Sequence, residues 1–455
     1  MDVPNSRPVC LVRSRKYWSH DAEWRHAWSI CAATMFLGAL SVAVASVTAA
    51  PPEPKVEGVW PEDKFPVVFL AGEDPSIGFN DFGCRLFLAA VWPGDDANKG
   101  EPDPAATLGG VKPPAIEGWA GIDDLYQDGG GRPPVWAEAG LRKPPLPTLV
   151  DAPPARVLSQ LNQMELGVPI GPLIAQNGTY TLYETRVNKK LYEFLRGPDC
   201  QPASWRYLAR NLPARDKPAL DYPTGSICFK AAWRLFQLPA EEQLLKRYYT
   251  ITAWVPITKP PFWERQTVGL TGFHLIVRTE RHPDWLWFSF EHVDNLVVGP
   301  DAPPGAKPTY NNPAGPQSAF HPDVNLLPPA VFASGPPRMS PTPVPVQVVR
   351  FSRIPPETNF VNNLYQSHAS VRPTVWRHYS LIVAQWPLRR LAGGMVPDAT
   401  GFVFPDAQSS ADHPIANSVL ETTTRLQMRE SCMKCHAVRK AFATGPLWFV
   451  TTRAR

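Results

Sequence analysis

The stretch "WLWFSFEHVDNLVV", residues 285–298, decides how this chain folds. Leu286, Phe288, Phe290 and His292 alternate with Trp285, Trp287, Ser289 and Glu291, and a period of two is the pattern of a β-strand. One face is therefore apolar and ends in a histidine. Runs of the same aromatic and β-branched character lie on both sides: "GSICFKAAWRLF" (225–236), "RYYTITAWVPI" (247–257) and "VGLTGFHLIVRT" (268–279) before it, "HYSLIVAQWP" (378–387) after it. Further upstream, "LIAQNGTYTLYETRVN" (173–188) sets Asn177-Gly178 between apolar runs, a strong hairpin signal, and a short helix is expected around "KKLYEFL". Strands in series without helices between them predict an antiparallel sheet or sandwich.

Proline separates these runs. There are 54 in 455 residues, more than twice the usual share of about 5%. They gather in residues 51–66, 102–154, 299–317 and 336–347, where long helices and central strands are ruled out and loops or connectors are expected.

The two ends of the chain differ from the middle. Basic-leaning residues 13–28 precede "SICAATMFLGALSVAVASV" (29–47) and then "TAAPPEP", which predicts a signal peptide over residues 1–50, cut near Ala49 or Ala50. Left uncleaved, the same apolar run is just long enough for a membrane anchor, and no later segment is. At the other end, Ser418 to Glu421 fits a capping box, with Val419, Leu420, Thr423 and Leu426 as the buried stripe of a helix.

That helix leads to "RESCMKCHAVRKAF" (429–442), which contains C-x-x-C-H, the attachment signature of c-type haem. Random placement of 7 cysteines and 10 histidines yields only ~0.002 such motifs in this length. On a helix Cys432, Cys435 and His436 share one face, so two thiols can add to the haem vinyl groups while the imidazole binds iron. A structural zinc site needs four ligands, and no second C-x-x-C or H-x-x-x-H is present. One covalent haem c is thus expected, with His436 as proximal ligand. The residues after the motif hold neither methionine nor histidine, so a distal ligand must come from upstream. Met428 falls on the proximal side and Met433 points away; His282, His321 and His413 sit beside prolines. His292 or His274, on neighbouring strands, is the distal candidate, and Glu291 and Asp294 flank the former.

The fold class expected is α+β: a large β-rich body with proline-rich loops and a small helical haem-binding tail. The divisions are residues 1–50, signal peptide; 51–175, proline-rich N-terminal region; 176–400, β-rich body; and 401–455, haem-binding tail.

"YETRVN", "FKAAWR", "VGLTGFHLIVRT", "HPDWLWFSFEHVDN", "AQWP", "ANSVLET" and "SCMKCH", in that order from about Tyr183 to His436, resemble an uncharacterised family of exported bacterial proteins with a single C-terminal haem-c motif. The resemblance implies a periplasmic haem protein and names no substrate.

Three functions fit a haem in this setting. One is one-electron transfer with a redox partner that the residues do not identify; a second is haem-based oxidoreductase or small-ligand sensor chemistry at an open iron site; the third is a structural haem tying tail to body. The formal charge of +4 gives no reason to expect a nucleic-acid partner, and no Walker loop, G-x-S-x-G elbow or H-E-x-x-H helix is present. The acid pairs Asp95-Asp96 and Asp123-Asp124 are expected in solvated turns. Cys84, Cys200 and Cys228 allow either one disulfide with a free thiol or three separate thiols.

Overall fold

β6, Trp263–Val277, is the strand around which the rest is arranged. In the computed structural model of the protein, residues 75–126, 132–140, 155–161, 173–197, 222–256, 263–280, 285–315, 317, 343–350, 353–386, 388–391, 394–397 and 417–421 are described. The strands before β6 are β1 (Ala120–Gly121), β2 (Arg156–Val157), β3 (Leu182–Val187), β4 (Ile227–Leu235) and β5 (Thr250–Pro256). Those after it are β7 (Leu286–His292), β8 (Tyr379–Gln385) and a separate pair, β9 (Leu388–Leu391) with β10 (Gly394–Pro397).

Eight strands form one sheet, antiparallel except where β2 runs parallel to β5. Along one edge β6 pairs with β4 from Val268 to Val277. Along the other it pairs first with β5, up to Gly269, and then with β7, from Gly272 onward. The sheet therefore forks at Gly269–Gly272. The register with β4 shifts there, between Ala232 and Trp233: their partners are Gly272 and Leu270, so Thr271 is an extra residue of β6. β8 closes the far side of β7.

Helix α1, Pro75–Val91, covers one face of the sheet beside α3, Pro356–Ser367. Phe82 of α1 meets Phe288 at 5.7 Å between ring centroids, and Phe87 meets Phe290 at 4.9 Å and Phe273 at 5.3 Å. Gly83 allows this close approach: a Cβ there would lie 2.3 Å from Phe288 Cδ1. The opposite face carries Val187, Cys228, Ile276 and Trp287, packed on Leu191, Tyr192 and Leu195 of α2, Lys189–Arg196.

The strand expectations hold for β4 to β8, and Asn188 caps α2 by accepting the Leu191 N–H. The turn at Asn177-Gly178 also forms, with Gly178 at φ 79°, yet only the bridge Ile174–Tyr180 continues it before β3 begins. One expectation is corrected. Strand β7 is buried on both faces rather than on one, because helices or other chain segments cover each side. The sheet also takes β1, β2 and the α1 cover from residues before 176. Among the described residues no helix is long and apolar enough to cross a membrane. The β-rich α+β class stands for the body; the signal segment and most of the tail lie outside the described residues.

Candidate functional site

At the fork, β6 presents Gly272 and His274 and β7 presents Ser289 and Glu291 on the same face, in the register Gly272–Glu291 and His274–Ser289. Across this face lies the segment Asn417–Glu421, with Asn417 to Leu420 buried. Asn417 Nδ2 donates to Ser289 Oγ at 3.0 Å and to the Phe290 carbonyl at 2.8 Å. The Ser418 amide donates to Glu291 Oε2 at 2.9 Å, and Arg350 pairs with the other Glu291 oxygen. From β3, the Tyr183 hydroxyl donates to the Val419 carbonyl at 3.0 Å, and burial pushes that phenol's pKa well up, so it stays a donor.

The side-chain bonds expected of Ser418 are made by its neighbour, in a turn over residues 418–420, and the helix expected through Thr423 and Leu426 lies outside the described residues. Asn417 Oδ1 accepts the Val419 N–H at 3.0 Å, and the Glu421 carboxylate reaches back to the Asn417 amide. Ser418 Oγ instead accepts from Asn295 Nδ2 at 3.0 Å. Asn295 also donates to the carbonyl of Thr271, which lies between the stretches of β6 paired with β5 and with β7. The tail is thus tied into the fork itself.

His274 and His292 occupy opposite faces. His274 Nε2 lies 2.7 Å from Glu421 Oε1, and its ring stands edge-on to Trp287 at 6.0 Å. His292 stacks on Tyr248 with ring centroids 3.7 Å apart. Its Nε2 bonds the Arg247 carbonyl at 3.0 Å while Nδ1 accepts the Asp294 amide at 3.1 Å, which fixes the tautomer with the proton on Nε2. Burial lowers its pKa to about 3. Both ring nitrogens of His292 are engaged within the body, so ligation of a metal requires breaking one of these bonds. Beside it Arg247 and Asp294 form a two-pronged pair, 2.7 and 2.8 Å. Burial pushes the Asp294 carboxyl up, but the Arg247 hydrogen bonds outweigh it and leave the pKa below the usual carboxylate value.

A second polar feature escaped the sequence analysis. Arg156 bonds Glu117 at 2.9 Å and sits 3.2 Å from Glu184, while Arg186 donates to the carbonyls of Glu117 and Trp119. Their surroundings include a cavity of about 30 Å³, enough for two or three water-sized groups. Glu184 and Arg186, two apart on a strand, were the signal: two charges on one face of an apolar run. Asp124 is no solvated turn either; it is buried and accepts from the Gly121 and Gly140 amides at 2.9 and 2.8 Å.

Cys84 and Cys228 are free, buried thiols whose pKa values burial raises, so they do not bridge each other. Cys200, His282, His321, His413, Met428, Cys432, Met433, Cys435 and His436 lie outside the described residues. No protein-family model matches the chain, and no curated protein or solved structure matches it.

Proposed function

We propose that the chain is an exported, periplasmic c-type haem protein that transfers one electron, with haem held by Cys432 and Cys435 and with His436 as the proximal iron ligand. The C-x-x-C-H motif carries this reading. Bound haem would supply a one-electron iron couple, tuned by its ligands and burial. The docked segment Asn417–Glu421 adds support, because Cys432 follows Glu421 by 11 positions. That length spans about 16 Å as a helix and at most about 40 Å extended, which bounds how far the motif can lie from the fork.

A second reading, an open iron site suited to small-ligand sensing or haem oxidation chemistry, is favoured by one observation. Both nitrogens of His292 are bonded, and His274 Nε2 faces Glu421. With His274 as the sixth ligand, a bis-histidine haem requires its ring to turn from Glu421 to iron.

The visible spectrum of the full-length protein, matured with haem, tests both. Electron transfer predicts a low-spin haem that ignores carbon monoxide when reduced and turns high-spin in His274→Ala. A high-spin wild type that binds the gas selects the open site. The double substitution Cys432→Ser/Cys435→Ser loses covalent haem. Haem that extracts from the wild type into acidified organic solvent overturns both readings.

A further inference from the structure

The slot that receives Asn417–Glu421 is built for that segment in a way ordinary packing does not require. Gly272 faces it directly, and a Cβ on Gly272 would lie 2.5 Å from Val419 Cγ2, 3.1 Å from the Phe290 carbonyl oxygen and 3.2 Å from Asn417 Oδ1. A side chain at this position forces Val419 to shift. Four of the slot's groups meet the segment directly: Ser289 and Glu291 receive the Asn417 side chain and the Ser418 amide, Tyr183 donates to the Val419 carbonyl, and Asn295 donates to Ser418 Oγ, while Asn295 Oδ1 makes no hydrogen bond among the described residues. Losing the partner of one of these buried groups would cost about 1–3 kcal/mol, which favours this register of the segment.

We infer that the fork slot is the positioning element of the haem-bearing tail: Gly272, Glu291 and Asn295 act through Asn417–Glu421 to fix where the haem motif meets the body. The inference rests on the haem reading above. Covalent attachment belongs to the two cysteines and does not need the slot. Orientation of the haem against the body does, because Asn417–Glu421 fixes the chain 11 positions before Cys432. A slot that only stabilised the body would leave the haem environment unchanged when disturbed.

The test uses full-length protein carrying haem and reads Soret circular dichroism, midpoint potential and the rate of tryptic cleavage at Arg425 and Arg429. Gly272→Ala is expected to keep covalent haem yet lose Soret dichroism, shift the potential and speed cleavage roughly tenfold, since cleavage follows the undocked population. Adding Val419→Ala removes the nearest group that the new Cβ strikes and leaves the closer-than-usual contacts with the Phe290 carbonyl oxygen and Asn417 Oδ1, so the double variant should recover all three signals in part. Asn417→Ala, which leaves every sheet residue in place, should reproduce the single-variant losses. The inference is overturned if Gly272→Ala or Asn417→Ala matches the wild type in dichroism and potential, or if Val419→Ala fails to rescue. A wild type without covalent haem overturns the functional reading itself and this inference with it, a result distinct from either of those.

Discussion

The two faces of the β6–β7 pair are held by different physics. On one, Phe273, Leu275, Phe288 and Phe290 meet Phe82 and Phe87 of α1 through contacts that have no direction. On the other, at the fork, Gly272, His274, Ser289 and Glu291 meet Asn417–Glu421 through named donors and acceptors. Apolar burial supplies stability at roughly 25 cal/mol per Å² and accepts many sequences of suitable volume. Hydrogen bonds add less net energy, but a misplaced one is costly, so the fork selects a single partner segment.

Stability measurements should separate the faces cleanly. The largest loss is expected from Phe288→Ala, about 3–5 kcal/mol by urea denaturation, because the ring is fully buried between the sheet and α1. An unchanged midpoint would remove the apolar face from its place in the comparison. Breaking the buried pair beside it with Asp294→Ala should cost a similar amount, about 3–5 kcal/mol, since Arg247 would keep a buried charge with half its partners gone.

The pH dependence tests the apolar face at its polar end. His292 titrates near 3 when folded and near 6.5 when unfolded, so the unfolded chain binds the extra proton between those values. Stability should therefore rise with pH across that window, by several kcal/mol, and be complete above about pH 6.5. His378, lowered to about 4 chiefly by burial, acts in the same direction over a narrower range. Melting curves of His292→Phe from pH 4 to 7 should show a lower midpoint and a shallower slope than the wild type; an equal slope would assign the dependence elsewhere.

The smallest effect is expected at the fork. Ser289→Ala removes one hydrogen bond to Asn417, whose amide keeps the Phe290 carbonyl, and should cost about 1 kcal/mol or less. Equality with Phe288→Ala in the same urea series would show that the two faces do not differ as described.

The sequence by itself determined the strands and carries the motif on which the proposed haem attachment rests. Alternation in residues 286–292 and the aromatic runs around it specify β-structure because side-chain period is a local property of the backbone. The C-x-x-C-H motif is legible for the same reason: its spacing is contained within five residues. What only the tertiary structure decided is which groups are already satisfied. His274 and His292 both read as histidines on apolar strands, yet one faces Glu421, 147 positions on, and the other is closed off by Arg247, 45 positions back. The contact of Gly272 with Val419 and the burial of Arg156 with Arg186 likewise depend on partners far along the chain. Hydrogen bonds and close contacts of that range are fixed by how the sheet folds over itself, and no local pattern encodes them.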